Sequence, residues 1–155
     1  MIYELRTYTA RAGGVPAILK ANEEIGRPVR GDDYGKLEGY WFTDIGPLNQ
    51  VMHLWSYTDM AERDRLRKEL GALDAWTKEY VPAIRPLIVN QELRFMEAHR
   101  EFETPAEGGN FYEFRNYRLK PGTAGEWMKK FVGVMPTREK YSKNLCAWIT
   151  QSPNP

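Results

Sequence analysis

The chain holds one cysteine, Cys146, and two histidines, His53 and His99, in 155 residues. A lone cysteine excludes an intramolecular disulfide framework and any cysteine-rich metal centre. With so few histidines a zinc site would have to recruit carboxylates, so no metal is expected. Strong charge of one sign is missing too: 22 Lys+Arg stand against 21 Asp+Glu, a net charge of +1. Nucleic-acid binders gather a basic excess on one face, and this balance argues against a nucleic-acid partner. No apolar run approaches the roughly 20 residues that span a bilayer. The opening Ile2-Tyr3-Glu4-Leu5 lacks the basic and apolar regions of a secretory leader. The expectation is a cytoplasmic protein with no membrane span. The P-loop pattern, the dinucleotide fingerprint, the GxSxG elbow and the HExxH helix are all missing. Gly13-Gly14 resembles a phosphate loop only superficially, and no cofactor is expected.

What is present suffices for a core. Hydrophobic residues make up 42% of the chain and charged residues 28%, ordinary for a globular protein. The chain also repeats itself. Tyr3, Glu4, Arg6, Tyr8, Gly13 and Lys20 recur as Tyr112, Glu113, Arg115, Tyr117, Gly122 and Lys129. Lys36, Trp41 and Thr43 recur as Lys143, Trp148 and Thr150, two residues closer, and the change falls in a loop where length costs little. The second copy has no counterpart of the stretch Leu48 to Trp55. Residues 103–110, rich in Pro, Gly and polar residues, read as a linker. The expected organisation is a module over 1–100, a linker over 101–110 and an incomplete β-α-β copy over 111–155. Such a half-module must pack on the first module, pair with another chain, or fray.

Within the module, residues 2–10 read as a strand ending at Gly13-Gly14. Val15, Ile18, Leu19 and Ile25 follow helical spacing, with Pro16 in the first turn and Gly26 and Pro28 weakening the end. Residues 37–45 and 49–57 are aromatic-rich and joined by a turn, a β-hairpin. Asp59 suits an N-cap for the charged helix that follows, and Asp64–Lys68 makes a favourable i,i+4 pair. Arg63, Arg65 and Arg67 read either as an anion patch or, more commonly for such stretches, as a solvated helix face. Gly71 ends that helix; Leu73, Trp76, Tyr80 and Ile84 carry a further helical segment, and residues 87–97 close with a strand. The order β-α-β-β-α-β predicts an α+β, ferredoxin-like fold: an antiparallel sheet with both helices on one face. The open face calls for cover, and a second chain is the expected source.

Strand alternation sorts the side chains. Glu4, Arg6 and Tyr8 share one face of the first strand, and His53, Trp55 and Tyr57 share one face of the third. With Leu5 turned to the helices, those six point away from them, towards a cavity between paired sheets. A buried Glu4–Arg6 pair that merely holds the fold is the competing reading. His53 is a candidate general base or a satisfied wall residue; Trp55 and Tyr57 read as packing. His99 is expected in solvent, and Cys146 as a buried, inert thiol.

The segments Tyr3-Glu4-Leu5-Arg6-x-Tyr8, Gly46-Pro47-Leu48-Asn49-Gln50-Val51 and His53-Leu54-Trp55-x-Tyr57 together resemble the NIPSNAP family. Arg63, Arg67 and the stretch from Asp74 and Trp76 to Pro82 add to the likeness, and 111–155 resemble the start of a second unit. That family is similar to the dimeric α/β-barrel proteins, in which two ferredoxin-like sheets enclose a cavity. Relatives of that fold include cofactor-free monooxygenases, haem-degrading enzymes and small-molecule isomerases. The resemblance implies a homo-oligomer, in the first place a dimer. Two functions follow: a small-molecule site or cofactor-independent enzyme lined by Glu4, Arg6, Tyr8, His53, Trp55 and Tyr57, or a non-catalytic dimerisation and protein-interaction module.

Overall fold

The computed structural model describes residues 1–100, 102–106 and 108–152. Parts of the expected linker (101 and 107) and the last three residues of the second copy lie outside the described residues.

The elements run β1 (Ile2–Ala10), α1 (Val15–Ala21), a π turn (Asn22–Gly26), α2 (Arg27–Arg30), β2 (Lys36–Phe42) and β3 (Gln50–Tyr57). Then come α3 (Met60–Leu70), a second π turn (Ala75–Tyr80), α4 (Val81–Ile84), a 3-10 turn (Arg85–Leu87) and β4 (Ile88–Ala98). Residues of the second copy supply α5 (Ala124–Arg138) and β5 (Trp148–Ser152). The sheet has five strands in the order β2-β3-β1-β4-β5, every neighbouring pair antiparallel. The first four are the ferredoxin-like order.

The helix expected to weaken at Gly26 and Pro28 instead continues to Arg30, and the wider π turn is the reason. Proline cannot donate to the carbonyl four residues back, so an α-helical ladder loses a bond there. Both π turns end two residues before a proline, Gly26 before Pro28 and Tyr80 before Pro82, and so widen the chain where that bond is lost. Gly26 has a second role. A Cβ there would lie 2.5 Å from Cε2 of Tyr80, so the two helical segments approach through that missing side chain. Asp59 caps α3 as expected, its Oδ1 accepting from the Glu62 N–H at 2.8 Å. The i,i+4 ion pair on that helix is Arg65–Glu69 in place of Asp64–Lys68, while Asp64 takes Arg63.

The two sheet faces bury different material. Tyr8, Ala10 and Val51 pack with Ile18, Tyr80 and Ile84 of the helical layer. Tyr3, Leu5, Leu54 and Met96 occupy the opposite face. This reverses the expected orientation: Leu5 points away from the helices, and Glu4, Arg6 and Tyr8 point towards them. The open face is covered from within the chain by Phe102 and Trp148, with Tyr3 in edge contact with the Trp148 ring. Strand β5 adds to the edge of β4. Residues 111–120, expected as the first strand of the second copy, form no ladder and are exposed throughout. In the first copy that strand is held by β3 on one side and β4 on the other; the 155 residues contain no counterpart of either for the second.

Candidate functional site

Register brings the polar residues of β1 and β3 face to face. Arg6 lies opposite His53 and Glu4 opposite Trp55. Because directly opposed residues share a face, all of them meet the helical layer.

Glu4 is fully buried and doubly held. Arg6 Nη1 donates to its Oε1, and Arg63 of α3 donates through Nε to Oε2 at 2.9 Å and through Nη2 to Oε1 at 3.3 Å. Burial alone would raise this carboxyl, but the hydrogen bonds and charges of Arg63 and Arg6 outweigh it and hold it below the ordinary carboxylate range. Glu4 thus ties the sheet to α3 and orients Arg6, whose Nε donates to the Tyr8 hydroxyl at 3.0 Å.

Beside this cluster lies a cavity of about 290 Å³ between sheet and helices. Four of the six expected residues line it: Arg6, Tyr8, His53 and Trp55. Glu4 and Tyr57 stand behind the wall. Tyr57 accepts from Arg30 Nη2 at 2.8 Å, as does the Tyr34 carbonyl at 3.0 Å. The guanidinium carbon of Arg30 sits 3.2 Å from the centroid of the Trp55 ring, a close cation–π contact. The helical layer supplies Asn22, Arg30, Arg67, Trp76 and Tyr80, and β2 supplies Tyr40.

His53 is 5% exposed and stacks on Tyr40 at 5.3 Å between centroids. Its Nδ1 accepts from the Trp55 indole N–H at 2.6 Å. An indole N–H is only a donor, so that nitrogen carries no proton and the ring hydrogen is on Nε2. Burial, then the charges of Arg6, Arg30 and Arg67, push the imidazolium pKa well below its usual value. His53 is therefore neutral with its one lone pair engaged. It is a hydrogen-bond donor to the cavity and not the general base its isolation in the sequence suggested.

The arginines are unevenly matched. Arg30 is 3% exposed, and its Nε has no hydrogen-bond partner. Burial, with Arg67 and Arg6 nearby, lowers it to about 10, partly offset by Tyr57, so it remains charged at neutral pH. Arg67 is half-buried and makes no side-chain hydrogen bond or ion pair among the described residues; burial and then Arg6 lower its pKa. Burial raises the phenols of Tyr40 and Tyr80 well above their usual value, so both stay neutral.

Arg30, Arg67 and Tyr40 were not among the expected wall residues. The usable signal was the spacing of Arg63 and Arg67, four apart and so on one face of α3. Arg65 points the other way, exposed and paired with Glu69. Nothing local marks Arg30. His99 is exposed, and Cys146 is buried just ahead of β5 with its thiol raised to about 11 by burial. Among the described residues no group of three or more His, Cys, Asp or Glu could hold a metal ion. No helix among them is long and apolar enough to cross a membrane.

Residues 3–100 match the sequence profile of the NIPSNAP family. The chain belongs to the NIPSNAP family. It is 28% identical over 134 residues to human NipSnap homolog 3A, covering 84% of this chain and 53% of that protein. Human NipSnap homolog 2 is 34% identical over 161 residues, covering 97% of this chain and 54% of that protein. The chain thus spans about half the length of the curated relatives it matches. A crystal structure of a NIPSNAP family protein with unknown function from Agrobacterium tumefaciens is 37% identical with a TM-score of 0.59. The match covers 61% of this chain and 85% of that one. The family match over residues 3–100 contains every residue that lines the cavity.

Proposed function

We propose that this NIPSNAP module binds a small organic molecule in the cavity between its sheet and its helices. The observation that supports it most is the neutral, buried His53, whose ring N–H is oriented by the Trp55 indole bond within a cavity of about 290 Å³. That volume is at the lower end of ligand pockets, which run from roughly 300 Å³ upward. Polar donors on aromatic walls are what a ligand site needs and what a packed core avoids. The same donors could polarise a bound carbonyl without a cofactor; binding is the minimum claim.

A fragment library screened by thermal shift tests this. Hits are expected to stabilise the wild type and to lose that effect in Gln91→Trp, which places a large side chain at an exposed wall position. A library without hits, or hits indifferent to Gln91→Trp, would refute the reading.

A second reading, self-association or protein interaction, draws on a different place. Phe42, Ile45 and Leu48 are 57%, 90% and 61% exposed at the β2–β3 end of the sheet. Clustered exposed apolar side chains favour an interface. Sedimentation of the wild type against Ile45→Asp/Leu48→Asp is expected to separate dimer from monomer; a monomeric wild type would end the self-association form of this reading.

A further inference from the structure

The ligand's class follows from the charge balance of the cavity, and this step rests on the small-molecule reading above. Five arginines, Arg6, Arg27, Arg30, Arg67 and Arg85, line the cavity, and no Asp or Glu does; Arg27 is paired with Asp32 outside it. The one buried carboxylate nearby, Glu4, is already occupied by Arg6 and Arg63. Guanidinium groups do not give up their proton at neutral pH. Tyr57 and the Tyr34 carbonyl satisfy only Nη2 of Arg30, and they bring no negative charge. Nε of Arg30 is buried without a partner, and Arg67 has none among the described residues. Buried cations without counter-charge are costly, and a bound anion removes that cost.

We propose that the ligand is an organic anion, a carboxylate or enolate carried on a flat apolar body. Arg67 and Arg30 take the anionic oxygens, and the His53 N–H is available to a third. Tyr40, Trp76 and Tyr80 provide flat walls for the body. Planar guanidinium forks match a carboxylate bidentately. A phosphate is the weaker match. No lysine lines the cavity, and no glycine-rich nest of backbone N–H groups opens onto it.

The test uses the full chain at neutral pH and low salt, with calorimetric titration of three matched probe sets. These are aryl carboxylates (benzoate, cinnamate and 2-naphthoate), their primary amides, and the corresponding aryl phosphates. At least one carboxylate is expected to bind about tenfold or more tighter than its amide, since a hydrogen bond to a charged group is worth that much. Arg67→Gln is expected to erase most of that margin, and Arg67→Lys to restore part of it. Arg67 anchors nothing else, so both variants should fold, which circular dichroism would check. Amides that bind as well as acids would overturn the anion inference while leaving the cavity a ligand site. Phosphates binding tighter than carboxylates would overturn the choice of anion. Failure of every carboxylate, with neutral fragments still binding, would also overturn the inference. Failure of all probes and all fragments would remove both proposals together.

Discussion

Lowering the pH from 7.5 to 5.0 should destabilise this protein through one residue. His53 is neutral in the fold, with its pKa pushed well below the usual value near 6.5. In the unfolded chain it titrates normally, so below 6.5 the unfolded state binds one more proton than the folded state. Stability is then fully present above pH 6.5 and falls as the pH drops towards the folded pKa. Each pH unit between the unfolded and folded pKa values is worth about 1.4 kcal/mol, so the whole interval costs at most about 2 kcal/mol. The other clearly shifted acids are Glu4 and the carboxyls of Asp32, Glu62, Glu103 and Glu113, all lowered from values at or below 4.5, and they contribute below this window. His99 is exposed. Urea unfolding at a series of pH values would measure the slope, and His53→Gln should flatten it. A wild-type stability independent of pH between 5.0 and 7.5, or a slope unchanged in His53→Gln, would refute the neutral, donor assignment.

Glu4→Gln should cost about 3 kcal/mol because Arg6 is left buried with its counter-charge removed, whereas Glu113→Gln, exposed beside Arg115, should leave the melting temperature unchanged. Below pH 4.5 the wild type should lose a further contribution as Glu4 protonates, and Glu4→Gln should not; unfolding curves at pH 3–5 would read the difference. Gly26→Ala should destabilise by about 1–3 kcal/mol, since the added methyl meets the Tyr80 ring, and thermal melts would detect it. Asp59→Ala should cost about 1 kcal/mol of the cap on α3, measurable by denaturant unfolding.

The element order was legible because each element carries a local signal. The β1 alternation, the Pro16 start, the Asp59 cap and the Gly71 stop all act within a few residues. The face of the sheet that receives the helices was not. Alternation divides β1 into Tyr3 and Leu5 against Glu4, Arg6 and Tyr8, but it assigns neither set to the helices. An apolar set facing a helical layer is the natural guess, and it fails here because α3 ties to the sheet through Arg63 on Glu4. A charged helix face looks solvated in sequence even when a buried carboxylate waits opposite it. The carboxylate and its arginine are 59 residues apart. The continuation of the first helix through Gly26 was hidden for a similar reason, since the ring it accommodates belongs to Tyr80.

The two copies of Glu-Arg-Tyr separate what the motif does from what its surroundings do. In both, the arginine bridges to the glutamate two residues before it. Around Glu4 and Arg6 the helical layer adds Arg63, excludes water and leaves a cavity next to the pair. Around Glu113 and Arg115 no strand among the described residues flanks the segment, the side chains are half or more exposed, and the pair is an ordinary surface contact. The motif by itself therefore makes only the ion pair, and enclosure by α1 to α4 is what buries the first copy beside a cavity. What distinguishes the enclosed copy is carried by residues outside the repeat motif: Arg30 on the Trp55 ring, Arg67 without a partner, and His53 fixed as a donor. A search for function in this protein is better directed at those three positions than at the motif itself.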